Sequence, residues 1–576
     1  MQTMPVIEHC GLALCAGIAA IGYGSGLARF LRIRPNLGDR GIAGLFVLAA
    51  VGCTVHFVSA LSTPVQIFLL AGGVAMAAAL RHDVCDDLVS DVPALAALCL
   101  LMLLRPQAPL SYDDGLYHLQ TFKWNRELLL TPGLANLHGR LAFNSILFLI
   151  APLTDRLGVG SIPNLLSTTF VVLSLWARIR RIGLNERREA IELCFMTLVI
   201  AFLLAKSHLE ILDADAFLVV LILYWVALAL QFSHAVDRRT VFALLLISAV
   251  LAATAKISAA PLVALTLALA WFHRTQPIVR TAPIYAVSAA LVVVWMSHGV
   301  ALSGCAVYPV RQTCLLALPW AASPAQVDKE RLTIQSWARK PGEYDIDRVM
   351  QDWSWFAPWF ARICNAGALR REKNYMQLLG VSLVLGTLAL VLAGKQIRRQ
   401  PRDDLGLIAS GLLASLGFWF LSAPDPRFGT GFILATAAFG LSLAAAAWLY
   451  HPRLLSCAPY ALLCLVAVFG ARTLLLFRVE AFSYSPPQAA VFPLRTARET
   501  QGIRLWVTKW KLGDASSIAI DAEDREPHSN RCWAQQLPCT PYVNPAALAH
   551  VHWPATWFDP SGPALEPPRD YLPPPY

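Results

Sequence analysis

"DADAFLVVLILYWVALALQFSHAVDRR", residues 213–239, reads as a membrane helix with both of its ends. An apolar run from 214 to 235 approaches the ~20 residues a helix needs to cross a bilayer. Asp213 and Asp215 stand at its start, where carboxylates cap free N–H groups and face the positive end of the helix dipole. Arg238 and Arg239 stand just past its end.

Comparable runs recur along the chain, near 6–28, 41–60, 63–80, 92–110, 160–177, 189–206, 240–255, 258–272, 283–303, 375–394, 404–421, 429–449 and 455–475. With 214–235 they make about fourteen. The whole chain of 576 residues is 56% hydrophobic and only 15% charged, where a soluble protein carries roughly 25% charged residues. An all-α polytopic membrane protein follows. The net charge of +10 is then read as cytoplasmic Lys and Arg, with no nucleic acid as partner.

The basic residues test this count. They follow alternate helices: Arg29, Arg32, Arg34 and Arg40; Arg81; Arg178, Arg180, Arg181, Arg187 and Arg188; Arg238 and Arg239; Arg274 and Arg280; Lys395, Arg398, Arg399 and Arg402; Arg453. The positive-inside rule puts all of these in the cytoplasm. Segments 111–159, 207–213, 304–374 and 422–428, and the tail 476–576, then lie outside. In a bacterium this is a multi-pass protein of the inner (cytoplasmic) membrane with both termini periplasmic. The apolar segment 141–155 is too short to span and is read as lying along the interface or re-entering.

The outer segments hold the chemically unusual residues. In "SYDDGLYHLQTFKWNREL", Asp113 and Asp114 can act as general base or hold a divalent cation, Mg or Mn, if one takes part. Either could instead cap a helix over 114–128. On that helix Asp114, Tyr117, His118 and Thr121 share a face, and Lys123 and Glu127 form an ordinary solvated pair. "PGLANLHGRLAFNS" adds His138 and Arg140, donors suited to phosphate or to lipid headgroups. "KSHLEILDAD" brings Lys206 and His208, and "ATAKISAAP" brings Lys256, a cation near membrane depth. "APDPRFGTG" holds Asp425 and Arg427 in a turn stiffened by two prolines. The outer tryptophans Trp320, Trp337, Trp353, Trp355 and Trp359 suit either sugar rings or the membrane interface.

Cys305 and Cys314 are nine apart in one outer loop, and Cys532 and Cys539 seven apart in the tail. An oxidising compartment permits a local disulfide for each pair. Neither pair has the spacing of a zinc site. The tail contains two alternating stretches, "GIRLWVTKW" and "SSIAIDA", read as strands of a small α+β or β-rich outer domain. No internal repeat is visible, which weighs against a secondary transporter. No P-loop or GxGxxG in strand–helix context is present.

The acidic pair after a membrane helix, followed by an interfacial segment, a later outer loop and a C-terminal outer domain, resembles the GT-C class of glycosyltransferases. "YDDGLYHLQ…PGLANLHGRLAFNS", "ATAKISAAP", "SGCAVYP", "APDPRFG" and "CW…LPCTPY" also resemble an uncharacterised bacterial membrane-protein family placed near that class. The GT-C resemblance implies extra N-terminal helices at 1–90, a transmembrane core at 91–475 with outer loops 111–159 and 304–374, and an extracytoplasmic domain at 476–576. It implies transfer of a sugar from a polyprenyl-phosphate donor to an envelope glycan, lipid or protein acceptor, with Asp113 as base. Asp114 and His118 would position the acceptor or a metal, and Lys256, Arg427 and Arg140 would hold the leaving phosphate. Tyr117, His138, Lys206, His208 and Asp425 complete the substrate-binding candidates. A polymerase or ligase of lipid-linked glycans, leaning on Arg and His, is the alternative, and a lipid-linked-sugar flippase a third. The topology has its own check. An exported phosphatase fused after Arg188 should be inactive in cells and active when fused after Lys340; the reverse pattern would overturn the orientation.

Overall fold

A computed structural model describes residues 4–81, 113–155, 162–183, 186–205, 212–275, 282–343, 345–364, 370–397 and 404–448, and three short strands beyond them. The helices of eight residues or more are α1 (Met4–Leu31), α2 (Leu37–Val55), α3 (Thr63–Ala79), α4 (Leu119–Glu127), α5 (Leu147–Thr154), α6 (Ile162–Ile179), α7 (Arg187–Ala205), α8 (Ala214–Phe232), α9 (Arg238–Ala255) and α10 (Ala260–Phe272). They continue as α11 (Ala282–Ser303), α12 (Pro324–Arg339), α13 (Phe356–Cys364), α14 (Arg370–Ile397), α15 (Leu405–Ser422) and α16 (Pro426–Trp448). Twelve of the apolar runs in the sequence are helices here. The other two, 92–110 and 455–475, lie outside the described residues.

Among the described residues nine helices are long and apolar enough to cross a membrane: α1, α2, α6, α8, α9, α11, α14, α15 and α16. The protein is an all-α polytopic membrane protein. The faces of α3, α11, α14 and α15 expose Phe68, Val293, Val384 and Leu413, which lipid solvates as well as protein would. The contrast is α8, apolar and buried all round. A helix of that kind is a central post, and α6, α7, α9, α15 and α16 pack about it. At the N-terminal side α1 and α2 approach closely. A Cβ on Gly44 would stand 1.7 Å from the Ala20 carbonyl oxygen, so only glycine fits there.

The bundle has two unlike ends. At one, arginines close helix C-termini whose carbonyls lack partners. Arg239 donates to Leu31 O at 2.8 Å, Arg188 to Leu230 O at 3.1 Å, and Arg187 to Ala446 O and Ala447 O at 2.9 and 2.7 Å. So α1, α8 and α16 end where α7 and α9 begin, matching the alternation of basic connections. Buried beneath them is Asp39, in a capping box with Asn36. Its Oδ1 accepts from Ser174 and Tyr224 at 2.5 and 2.7 Å, and its Oδ2 accepts from Arg178 at 2.7 Å.

The opposite end carries the insert 113–155 and the loop 304–364. Here α5 is buried along its whole length. Ile146 N donates to Thr254 O at 3.0 Å, while Arg126 joins Asp155 O to the Thr63 hydroxyl at 2.8 and 3.0 Å. The short apolar segment is therefore enclosed by protein, packed against α2, α3, α4 and α6. Three antiparallel strands, β1 (Ile503–Trp506), β2 (Ala519–Ile520) and β3 (Cys539–Thr540), form a small sheet in the order β2-β1-β3.

The Asp39 network is closed, and removing one member leaves its partner charged and buried. Asp39→Asn should destabilise the bundle by about 3–5 kcal/mol, read as a lowered thermal midpoint in detergent. Asp39→Asn with Arg178→Gln should recover much of the loss.

Candidate functional site

The opposite end gathers charges from six places in the sequence. Asp113 precedes a single π-helical turn, Asp114–His118, that runs on into α4. Such turns shift the side-chain register and recur at functional sites. Asp215 stands in the first turn of α8, whose cap is Asp213, accepting from Asp215 N at 2.8 Å. Lys256 ends α9. Arg140 lies in a 3-10 turn, Gly139–Ala142. Arg427 follows Pro426 at the start of α16, its N–H held by Asp425 Oδ1 at 3.0 Å. Proline suits that first position because its missing N–H would be unpaired anyway. Glu330 lies on α12.

These groups alternate in sign. Lys256 Nζ bonds Asp215 Oδ1, and Arg427 Nε meets Asp215 Oδ2 at 3.3 Å. Arg427 also donates to Asp113 Oδ2 at 2.6 Å, and Arg140 donates to Asp113 Oδ1 at 3.3 Å. Beyond it, Arg140 Nε stands 3.8 Å from Glu330 Oε1. Phe428 lies under both Lys256 and Arg427, at 4.3 and 5.3 Å from its ring centre, a cation–π contact. The Tyr117 ring supports Arg140 in the same way at 5.6 Å.

Burial pushes the Asp113 carboxyl up, but Arg427, His118 and Arg140 outweigh it and hold it below its ordinary value. A carboxylate with a guanidinium on each oxygen is a fixed negative charge and a poor proton acceptor. Asp213 goes the other way, raised by burial and by the neighbouring Asp215. Glu330 is raised by burial against Arg140. His138 is buried and pushed down to about 3 by burial and then by Arg140, so it serves neutral at ordinary pH. His118 is buried between Tyr117 and Phe148, ring centres 4.4 and 5.1 Å away.

The sequence-derived candidates divide accordingly. Asp113, Arg140, Lys256 and Arg427 are joined in one chain of contacts, with Tyr117, His118 and His138 around it. Asp425 does not enter it: its carboxyl holds the Arg427 N–H and pairs with Arg362 at 3.5 Å. Asp113 spends both oxygens on arginines, so the helix-capping alternative does not apply to it. The Asp114 and Cys539 side chains, Lys206, His208 and Cys532 lie outside what the structure describes. Cys305 and Cys314 are joined by a disulfide. The sequence marks Asp215 only as a helix cap and gives no sign of Glu330. A buried trio was also missed: His56 Nδ1 lies 2.9 Å from His298 Nε2, and His298 Nδ1 lies 2.8 Å from Asn144 Oδ1. Its members come from distant helices and a loop, and no local spacing marks them.

A divalent cation does not fit beside Asp113, because two guanidinium groups already occupy the carboxylate and would repel it.

All six charged residues fall within residues 12–434, the region matched by the family described as Domain of unknown function (DUF8201). The chain belongs to that family. No curated protein and no solved structure matches the chain. The matched region also contains the Asp39 network at the other end of the bundle.

The chain of charges should act as a unit. Asp113→Asn and Arg427→Gln, singly and together, should show a coupling of roughly 0.5–3 kcal/mol in a thermal-unfolding double-mutant cycle. Strict additivity would show that the pair is not formed.

Proposed function

We propose that this charge cluster is the reaction centre of a GT-C-like glycosyltransferase. It moves a sugar from a polyprenyl phosphate to an envelope glycan, lipid or protein acceptor, on the periplasmic side of a bacterial cytoplasmic membrane. About fourteen spanning helices, with 92–110 and 455–475 among them, and an outer C-terminal domain built on the three strands belong to the same reading. The observation that carries it is Asp113 held between Arg140 and Arg427, with Lys256 reached through Asp215. Residues hundreds of positions apart supply three cations at one membrane boundary.

Glycosyl transfer from a phosphate donor asks for such an arrangement. As the anomeric carbon–oxygen bond breaks, charge gathers on the departing phosphate. Donors already aimed at that charge lower the barrier, and each one removed costs about 100–1,000-fold in rate. Arg427 is well placed: Nε and Nη2 face the carboxylates, its side chain is 44% exposed, and Nη1 has no polar partner among the described residues. Its planar fork suits phosphate oxygens.

The test is genetic and chemical. A strain lacking the chain should lose one sugar from an envelope glycan, lipid or protein, seen by mass spectrometry. The wild type should restore it, and Asp113→Asn, inserted at normal levels, should restore less than about a hundredth. Unchanged glycans in the deletion strain, or full restoration by Asp113→Asn, would overturn the reading. Loss of a whole oligosaccharide block would point instead to the polymerase or ligase.

A further inference from the structure

One guanidinium away from Asp113 stands a carboxyl that the charge chain leaves unsatisfied. Arg140 Nε is 3.8 Å from Glu330 Oε1, too far for a hydrogen bond. Among the described residues no hydrogen bond ends on this carboxyl. Beside it the Tyr308 hydroxyl is buried, the residue only 5% exposed, and has no partner either. Buried hydroxyls are ordinarily bonded.

Both oxygens converge over Gly139. A Cβ built there would stand 2.6 Å from Glu330 Oε2 and 3.0 Å from the Tyr308 hydroxyl. Glycine at 139 lets both oxygens approach the backbone this closely, because any side chain there would collide with the Glu330 carboxyl. The surroundings hold both groups in place. Tyr308 sits in the loop closed by Cys305–Cys314 and packs near Phe143. On α12, Gln326 donates to Ala135 O at 2.7 Å, and Asn136 donates to Trp320 O at 3.0 Å.

We infer that Glu330 is the general base of the transfer, and that Tyr308 and Gly139 complete a seat for the acceptor's hydroxyl group. A hydroxyl both donates and accepts, so one acceptor oxygen serves Glu330 and Tyr308 together. The acceptor class is therefore a neutral polyol or sugar hydroxyl. Asp113 is the fixed charge that holds Arg140 and Arg427. This inference rests on the glycosyl-transfer reading and names its base.

The acceptor O–H gives its proton to Glu330 Oε2 while its oxygen bonds the anomeric carbon. The bond from that carbon to the phosphate oxygen breaks, and its electron pair stays on the phosphate. Arg427 and Lys256 stabilise the added charge, and Glu330 passes its proton to water. The two carboxyls differ in the required sense. Burial raises Glu330, while Asp113 is held low, the separation that divides proton carrier from fixed charge. The charged and titratable groups facing Glu330 are Arg140, Lys329 and Tyr308.

The experiment uses the full chain in nanodiscs, polyprenyl-phosphate sugars as donors and acceptor purified from the deletion strain. Glu330→Gln should lower kcat by at least about 100-fold with the donor KM little changed, and Glu330→Asp should recover part of it. Tyr308→Phe should raise the acceptor KM about tenfold. A base must be ionised, so wild-type kcat/KM falls as pH drops. That acid limb should vanish from the residual rate of Glu330→Gln and persist in Asp113→Asn. Near-normal kcat in Glu330→Gln, or an acid limb lost in Asp113→Asn instead, overturns the assignment. Should Glu330→Gln fail to fold, normal kcat and acceptor KM in both Glu330→Asp and Tyr308→Phe overturn it. Wild-type protein that transfers no sugar sinks the glycosyl-transfer reading itself, a separate result.

Discussion

The guanidinium of Arg427 faces two carboxylates, Asp113 from the insert and Asp215 from the central helix. That double contact seats the insert on the bundle. A buried charge is costly unless it is paired, and here each carboxylate is paired with the same guanidinium. Asp425 and Pro426 set the turn that aims Arg427, and α8, buried on every side, fixes where Asp215 begins. Buried ion pairs are weak devices for stability, since apolar groups of similar volume often serve as well or better. An alternating chain from Lys256 to Glu330 is therefore better explained by what it positions than by what it stabilises.

The polar network at the other end makes the contrast. Asp39 has each oxygen occupied by protein donors, from Ser174, Tyr224, Arg178 and the Asn36 N–H. Nothing is left over for a ligand, and the network joins α2, α6 and α8. At the Asp113 end the accounting stays open. Among the described residues, Arg427 keeps a nitrogen without a polar partner, Glu330 accepts no hydrogen bond and the Tyr308 hydroxyl is unpaired. A closed network holds helices together, whereas an open one at a membrane boundary has capacity for something else.

The helices were legible because lipid imposes one requirement on every residue of a span. Runs such as 214–235 and the arginines beyond them carry that requirement in plain letters. The site was legible where a charge stood against apolar surroundings, as for Asp113, Arg140, Lys256 and Arg427. It was not legible at Glu330, because α12 reads "DKERL" there and its carboxylate looks like any solvated helix residue. Asp215 was visible but hidden behind an equally good explanation, the helix cap, which the structure assigns to Asp213. The π-helical turn after Asp113 could not be read either, since it changes the very period on which helical spacing arguments depend. Segment 141–155 was recognised as too short to span, but its full burial depends on α2, α3, α4 and α6 closing over it.

In the proposed reaction the carboxylates solve a problem that bare cations would create. Three uncompensated cations at a membrane boundary would be costly to desolvate and would scatter toward water. Paired with Asp113 and Asp215, they are held in position before any substrate arrives. A lipid phosphate reaching the exposed side of Arg427 then meets a fork already oriented, and little side-chain freedom remains to be lost. It adds its negative charge beside three cations that Asp113 and Asp215 already restrain. The same carboxylates that restrain the cations thus keep them from binding phosphate too tightly in the ground state. Their full effect is reserved for the extra charge that appears as the glycosidic bond breaks.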